Sequence, residues 1–276
     1  VSDSILNKHR RQPKIYVDVP SEFRYCDEKA YSGTSKEVPV YSMTGANEIM
    51  MKNPEALLNG EAVKNLIQSC IPSINNTGLL SSIDVEFLLM AIRIATYGET
   101  YKKSSTCPHC EEVNTYDINL SSYIDSYATK EWVDNVTVDD LTFYIRPHNY
   151  DKFTQLQKLI FQAQRTIAQL ATIENISEDE RLKLESDVVN TLEDINKQNI
   201  IEQVYMIKTP EGEETNAEIA RNFVLEEDRK YFQALKELTV KNTKVWDVPD
   251  LELTCGSCGK EYTSIFAMDD SNFFAE

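Results

Sequence analysis

Four cysteines in two pairs, Cys107-Pro108-His109-Cys110 and Cys255-Gly256-Ser257-Cys258, constrain this 276-residue chain more than any other feature. The C-x-x-C spacing lets two thiolates from one tight turn reach the same tetrahedral zinc ion. The flanks of the pairs also match. Tyr101 to Thr106 leads into the first pair and Val113 to Leu120 leads out; Leu251 to Thr254 leads into the second and Lys260 to Ala267 leads out. Each half reads as strand, cysteine knuckle, strand, and two such halves facing one another make a zinc ribbon. Cys107, Cys110, Cys255 and Cys258 are its expected ligands, and the zinc is structural. Gly259 follows the second pair, where a knuckle favours positive φ; Glu111 holds that place in the first and is expected to be slightly strained.

Two other readings of the pairs are weaker. An oxidoreductase C-x-x-C opens a helix in a βαβ unit, and neither pair is followed directly by a helical pattern. Disulfides within a pair are disfavoured by the two-residue gap. Of the remaining cysteines, Cys70 falls on the apolar face of a helical pattern and reads as a small core residue; Cys26 is polar-flanked and carries no signal. Roughly 140 residues separate the pairs, against roughly 15–20 in a compact ribbon. The metal therefore ties the middle of the chain to its C-terminal part, with a long excursion between.

The net charge of −17 argues against a phosphate-binding role, which relies on Lys and Arg to displace counterions. The one basic cluster, Lys8-His9-Arg10-Arg11 with Lys14, reads as a solvated arm. No stretch approaches 18 uninterrupted apolar residues, so no transmembrane helix is expected. The first residues lack the apolar core of a signal peptide, and the expectation is a product made and assembled in the cytoplasm.

In chain order, Ile15, Val17 and Val19 alternate as a short edge strand before Pro20, and Glu37 to Met43 reads as a second strand. Thr44 is placed to cap a helix over Gly45 to Lys52, and Asn53-Pro54 repeats a start signal. Val63, Leu66, Ile67 and Cys70 give a clean helical face over Glu61 to Cys70, which Pro72 stops. The helix predicted over Ile83 to Tyr97 is apolar nearly all round and therefore buried, with Gly98 as its C-cap. Ser121 to Ala128 reads as a short helix, and Asn135 to Val138 with Leu141 to Ile145 as a β-hairpin closed by Pro147. Phe153, Leu156, Leu159, Ile160, Ala163, Ile167 and Leu170 form one helical stripe. Ser177 with Glu180 is a capping box opening a second helix, in which Val188, Leu192, Ile195 and Asn199 step in a heptad-like way. These two helices are expected to form an antiparallel hairpin. A turn at Thr209 to Gly212 and helices near Asn216 to Phe223 and Glu226 to Lys241 complete the excursion. Phe273 and Phe274 are expected to pack back on the domain.

No catalytic constellation stands out. Four thiolates close a zinc shell, whereas catalytic zinc keeps a position for water. His109 lies inside a knuckle and points away from the metal; His148 reads as a turn residue, and His9 lies in the arm. P-loop, dinucleotide-binding and H-E-x-x-H patterns are missing from the sequence. The chain is not expected to be an enzyme.

Val38-Pro-Val-Tyr-Ser-Met-Thr44, Leu57 to Pro72, Phe87 to Gly98 and Cys107-Pro-His-Cys110, in this order, resemble the baseplate hub and hub-assembly proteins of contractile-tailed, T-even-type bacteriophages. The resemblance covers the first 125 or so residues and extends to the second knuckle. It implies a structural or assembly component of the central baseplate hub, with other hub and tail proteins as partners. The expected location is the virion tail baseplate, with the host cytoplasm during assembly. Two alternatives accompany it: a transient hub-assembly chaperone that leaves before the virion is finished, and a zinc-ribbon regulator that binds nucleic acid. The expected fold class is α+β, an N-terminal helical core packed on a split four-cysteine zinc ribbon with a long, mainly helical insertion. Its divisions are an N-terminal arm (1–20), the helical core with the first ribbon hairpin (21–128), the β-hairpin and helical insertion (129–248), and the second ribbon hairpin with the tail (249–276).

Overall fold

The computed structural model describes residues 5–170, 177–266 and 273–274. Helices and small antiparallel sheets build two compact units. The first is discontinuous, residues 1–130 with 246–276, and the second comprises residues 131–245.

The first unit starts with β1 (Ile15–Asp18) paired antiparallel to β2 (Glu37–Val40), Val17 opposite Val38. Val38 and Val40 are buried while Tyr16 is exposed, the alternation of a half-covered strand. A reciprocal cap opens α1 (Gly45–Met51): Thr44 Oγ1 accepts from the Asn47 amide, and Asn47 Oδ1 accepts from the Thr44 amide. Asn53 caps α2 (Pro54–Leu58), and α3 spans Glu61–Cys70. The buried face of α3 is Val63, Leu66, Ile67 and Cys70, as the periodicity requires. Burial pushes the Cys70 thiol up to about 11, so it behaves as a small apolar residue. Helix α4 (Ser82–Tyr97) is the core of this unit, buried from Ile83 to Ala95 except at Glu86 and ended by Gly98 at φ 89°.

Two polar groups of α4 are buried with it. Asp84 accepts hydrogen bonds from the amide and hydroxyl of Ser21, within a tight turn that holds Glu22 and Phe23 at positive φ. Burial nevertheless raises its carboxyl from 3.8 to about 6. Between those two pH values the folded chain holds more protons than the unfolded one. Asp84 therefore makes stability fall as pH rises through the window, and the penalty is complete above about 6. Replacing Asp84 with Asn is expected to cut the loss of unfolding free energy between pH 5 and pH 7 by about 1 kcal/mol, read from urea titrations at the two pH values. The second buried group, Arg93, donates from Nε to the Phe273 carbonyl (2.9 Å) and lies over the Tyr97 ring. Tyr97 donates to the carbonyl of Phe274. Both phenylalanines are buried, so this part of the tail packs back on the domain as expected.

The basic arm is less free than its composition suggests. Arg11 donates to the carbonyls of Ser42 (2.7 Å) and Ser69 (3.1 Å) and stacks on Tyr41, so its guanidinium docks the arm. Next come β3 (Thr100–Thr106), β4 (Val113–Asn119) and α5 (Leu120–Tyr127), capped by Asn119. Tyr127 is buried against Phe87 and Trp246.

The second unit departs most from expectation. The predicted hairpin, β5 (Asn135–Val138) with β6 (Leu141–Ile145), is present. Helix α6 (Tyr150–Leu170), capped by Asn149, and α7 (Glu178–Ile201), opened by the Ser177–Glu180 capping box, follow. The chain then returns to the sheet as β7 (Val204–Thr209) and β8 (Gly212–Glu214). The insertion is mainly helical as expected, but it also carries a four-stranded antiparallel sheet, β5-β6-β7-β8, of which only the first hairpin was expected. The turn at Thr209 to Gly212 is the β7–β8 turn. Helices α8 (Ala217–Glu226) and α9 (Arg229–Trp246) complete the unit. Its core is Phe143, Ile145, Val204 and Ile207 of the sheet with Ile200, Ala220, Val224, Leu235 and Leu238. Buried Asn242 takes both backbone bonds of Val133, fixing the entry to β5.

His148 is half-buried at the start of the α6–α7 hairpin rather than a free turn residue. Its Nε2 meets the carbonyl and side-chain oxygen of Asn199, the heptad-like position. Burial lowers its pKa, so it stays neutral at neutral pH. The chain then returns to the first unit as β9 (Leu251–Thr254) and β10 (Glu261–Ser264). The expected C-terminal end of that strand, Ala267, lies outside the described residues, as do the rest of 267–272 and residues 1–4, 171–176 and 275–276.

Candidate metal centre

The two cysteine hairpins are built alike. Thr106 pairs with Val113 at the end of β3–β4, and Thr254 with Glu261 at the end of β9–β10. Each leaves a six-residue knuckle, 107–112 and 255–260, closed in the same way. The Cys107 amide donates to Glu112 O and the Glu111 amide to Cys107 O, both 2.9 Å. The Cys255 amide donates to Lys260 O and the Gly259 amide to Cys255 O, again 2.9 Å. Glu111 and Gly259 occupy the matching left-handed position, at φ 61° and 71°. A side chain there costs roughly 1–2 kcal/mol. Gly259→Ala is therefore expected to lower the unfolding free energy by about 1 kcal/mol, although open space surrounds its Cβ position. Glu111→Gly is expected to be neutral or to raise it by up to about 1 kcal/mol, both read by chemical denaturation.

The hairpins bring the four expected ligands together. Their sulfurs all lie within 4.8 Å of one another. Two separations cross between knuckles, Cys107 Sγ to Cys258 Sγ at 3.8 Å and Cys110 Sγ to Cys255 Sγ at 3.6 Å. A tetrahedron with Zn–S bonds of about 2.3 Å has edges of about 3.8 Å. A disulfide requires about 2.05 Å. The cluster thus has the size of a tetrahedral tetrathiolate site. Cys107 and Cys255 are buried while Cys110 and Cys258 face solvent, which leaves one side open for entry of an ion.

N–H groups surround the sulfurs. The His109 amide donates to Cys107 Sγ, and the Cys258 amide and Asn114 Nδ2 donate to Cys255 Sγ. The Cys258 amide is the main cause that brings the Cys255 thiol down to about 6, against burial and with help from the Ser257 amide. At Cys110 the Glu112 amide pulls the thiol down, but burial and hydrogen bonds to the other three sulfurs carry it up to about 12. Four sulfurs this close do not all ionise by themselves; a divalent cation among them reverses that order, because a coordinating thiol is deprotonated outright. Zinc bound here would be held by all four sulfurs and would supply cross-linking.

The histidines stay out of the cluster. His109 is exposed and contributes its amide, not its ring. Cys26 donates to the Phe23 carbonyl instead. Sequence reasoning did not single out the residues that lock one hairpin to the other. Tyr116 bonds Tyr262 and the Thr254 carbonyl (both 3.2 Å), Ser105 bonds Ser264, and Tyr101 packs edge-on to Phe266. Their one local signal is strand alternation, which names a face but not its partner.

Fold and site together define the class: a two-unit α+β protein whose discontinuous first unit is closed by a four-cysteine cluster. Residues 35–275 match the family model described as T4 bacteriophage base plate protein. The chain belongs to that family and is a phage baseplate protein. Searches of curated proteins and of solved structures return no significant match. Among the described residues, no helix is long and apolar enough to cross a membrane.

Proposed function

We propose that the chain is a structural or assembly component of the central hub of the baseplate, acting through contacts with other hub and tail proteins. Cys107, Cys110, Cys255 and Cys258 hold a structural zinc that completes a ribbon. The observation that carries this reading is the four-sulfur cluster in a baseplate-family chain. It joins segments roughly 140 residues apart, and a closed tetrathiolate shell offers no position for substrate. The role is mechanical rather than enzymatic. The nucleic-acid alternative is disfavoured by the net charge of −17 and by Arg11, whose guanidinium is engaged with backbone carbonyls.

The test is quantitative mass spectrometry of purified virions and of baseplate precursors from infected cells. Presence in both, at a fixed ratio to other hub proteins, supports a virion subunit. Presence in precursors alone identifies the transient assembly factor, made and used in the host cytoplasm. Recovery with nucleic acid and with neither particle would sink the hub reading.

A further inference from the structure

The α6–α7 hairpin exposes one face that its own two helices leave uncovered. The helices run antiparallel: Lys152 near the start of α6 bridges Glu202 just after α7 (2.6 Å), and His148 meets Asn199. Leu156, Ala163, Leu170 and Ile195 are buried in the seam, whereas Ile160, Val188 and Leu192 remain half-buried. In this register residue i of α6 lies level with about residue 350 − i of α7, and helical positions repeat every seven residues. Phe161 and Ala168 then stand level with Val189 and Leu182. In an antiparallel pair, positions turned the same way from each seam fall on one side of the pair. Phe161 (47% exposed), Val189 (49%) and Leu182 (57%) therefore share a face. Gln157, Gln164, Ser186 and Asn196 fill most of the gaps, and Asp179 and Glu193, seven residues either side of Ser186, are the charges on its α7 half.

We propose that this face binds the same face of a second copy of the chain, making an antiparallel four-helix bundle about a two-fold axis parallel to the helices. Charge selects the occupant and its orientation. Lys158 and Arg165 border the face on α6, and Glu193 stands on it on α7. Placing α6 on the partner's α7 sets Lys158 level with a glutamate and Phe161 on a valine. Placing α6 on the partner's α6 brings like charges together, and a two-fold interface of the first kind is self-complementary. The face is about 26 Å long and two helices wide, roughly 500 Å² per copy and about 1,000 Å² in all, at the lower limit for a specific dimer.

Sedimentation equilibrium of the zinc-loaded full chain tests the proposal. The expected species is twice 31.6 kDa. Phe161→Glu with Val189→Glu should give a monomer of unchanged circular dichroism, while Leu159→Glu, on the opposite side of the hairpin, should leave the dimer intact. Lys158→Glu should weaken association at low salt by about 3–10-fold, and adding Glu193→Lys should restore it. A chain that stays monomeric up to about 100 μM overturns the proposal. So does a dimer that survives Phe161→Glu with Val189→Glu, or a different protein found on this face of a monomeric chain.

Discussion

Replacing Cys107 with Ser, or stripping metal with a chelator, is expected to unfold the first unit. Zinc bound by four thiolates contributes roughly 10–16 kcal/mol of apparent binding energy, as large as the 5–15 kcal/mol that holds a typical domain folded. The load is expected to fall on the cluster because β9–β10 is short and the two cysteine hairpins belong to distant parts of the chain. β9–β10 has four residues per strand, and among the described residues its side-chain bonds to β3–β4 are few: Tyr116 with Tyr262 and the Thr254 carbonyl, Ser105 with Ser264 and Asn114 with Cys255. Bonds of that kind contribute roughly 0.5–1.5 kcal/mol each and do not replace a tetrahedral anchor. The measurement pairs elemental analysis with thermal melts followed by circular dichroism. One zinc per chain, lost in Cys107→Ser together with most of the melting transition, is the expected result. An unchanged zinc content and midpoint would refute the clasp. Cys26→Ser is the control, since that half-buried thiol donates only to a local carbonyl, and it should shift stability by less than about 1 kcal/mol.

Phe143→Ala is expected to cost about 3–5 kcal/mol of unfolding free energy. Phe143 is fully buried on the inner face of β6, with its ring against those of Phe223 and Tyr231. Ile145, Val204, Ile207, Ala220 and Leu235 close the rest of the site, so truncation leaves a cavity with no flexible chain end to fill it. A sheet held by this core should unfold at clearly lower urea. Phe161→Ala, at an exposed ring, should by contrast change monomer stability by less than about 0.5 kcal/mol. A cost below about 1 kcal/mol at Phe143 would mean that the four-stranded sheet is not the core of this unit.

The sequence by itself determined what short-range physics controls. The face of Glu61–Cys70, the caps at Thr44, Asn53 and Ser177, the stop at Gly98 and the hairpin Asn135–Ile145 all depend on neighbours within a turn or two. The four cysteines were legible for the same reason, because C-x-x-C is a local geometry and its duplication names the second half of the site. Tertiary structure alone decided the rest. Val204 to Thr209 becomes a strand because β6, some sixty residues earlier, offers an open edge, and the alternation of the segment is too short to announce that partner. Asp84 is buried in the first turn of an apolar helix because Ser21 arrives from another loop, and Arg11 docks the arm on the surface because two carbonyls await it. Each of these depends on a partner that closes from far along the chain, and periodicity, which reports only which side of an element is apolar, cannot say what will cover it.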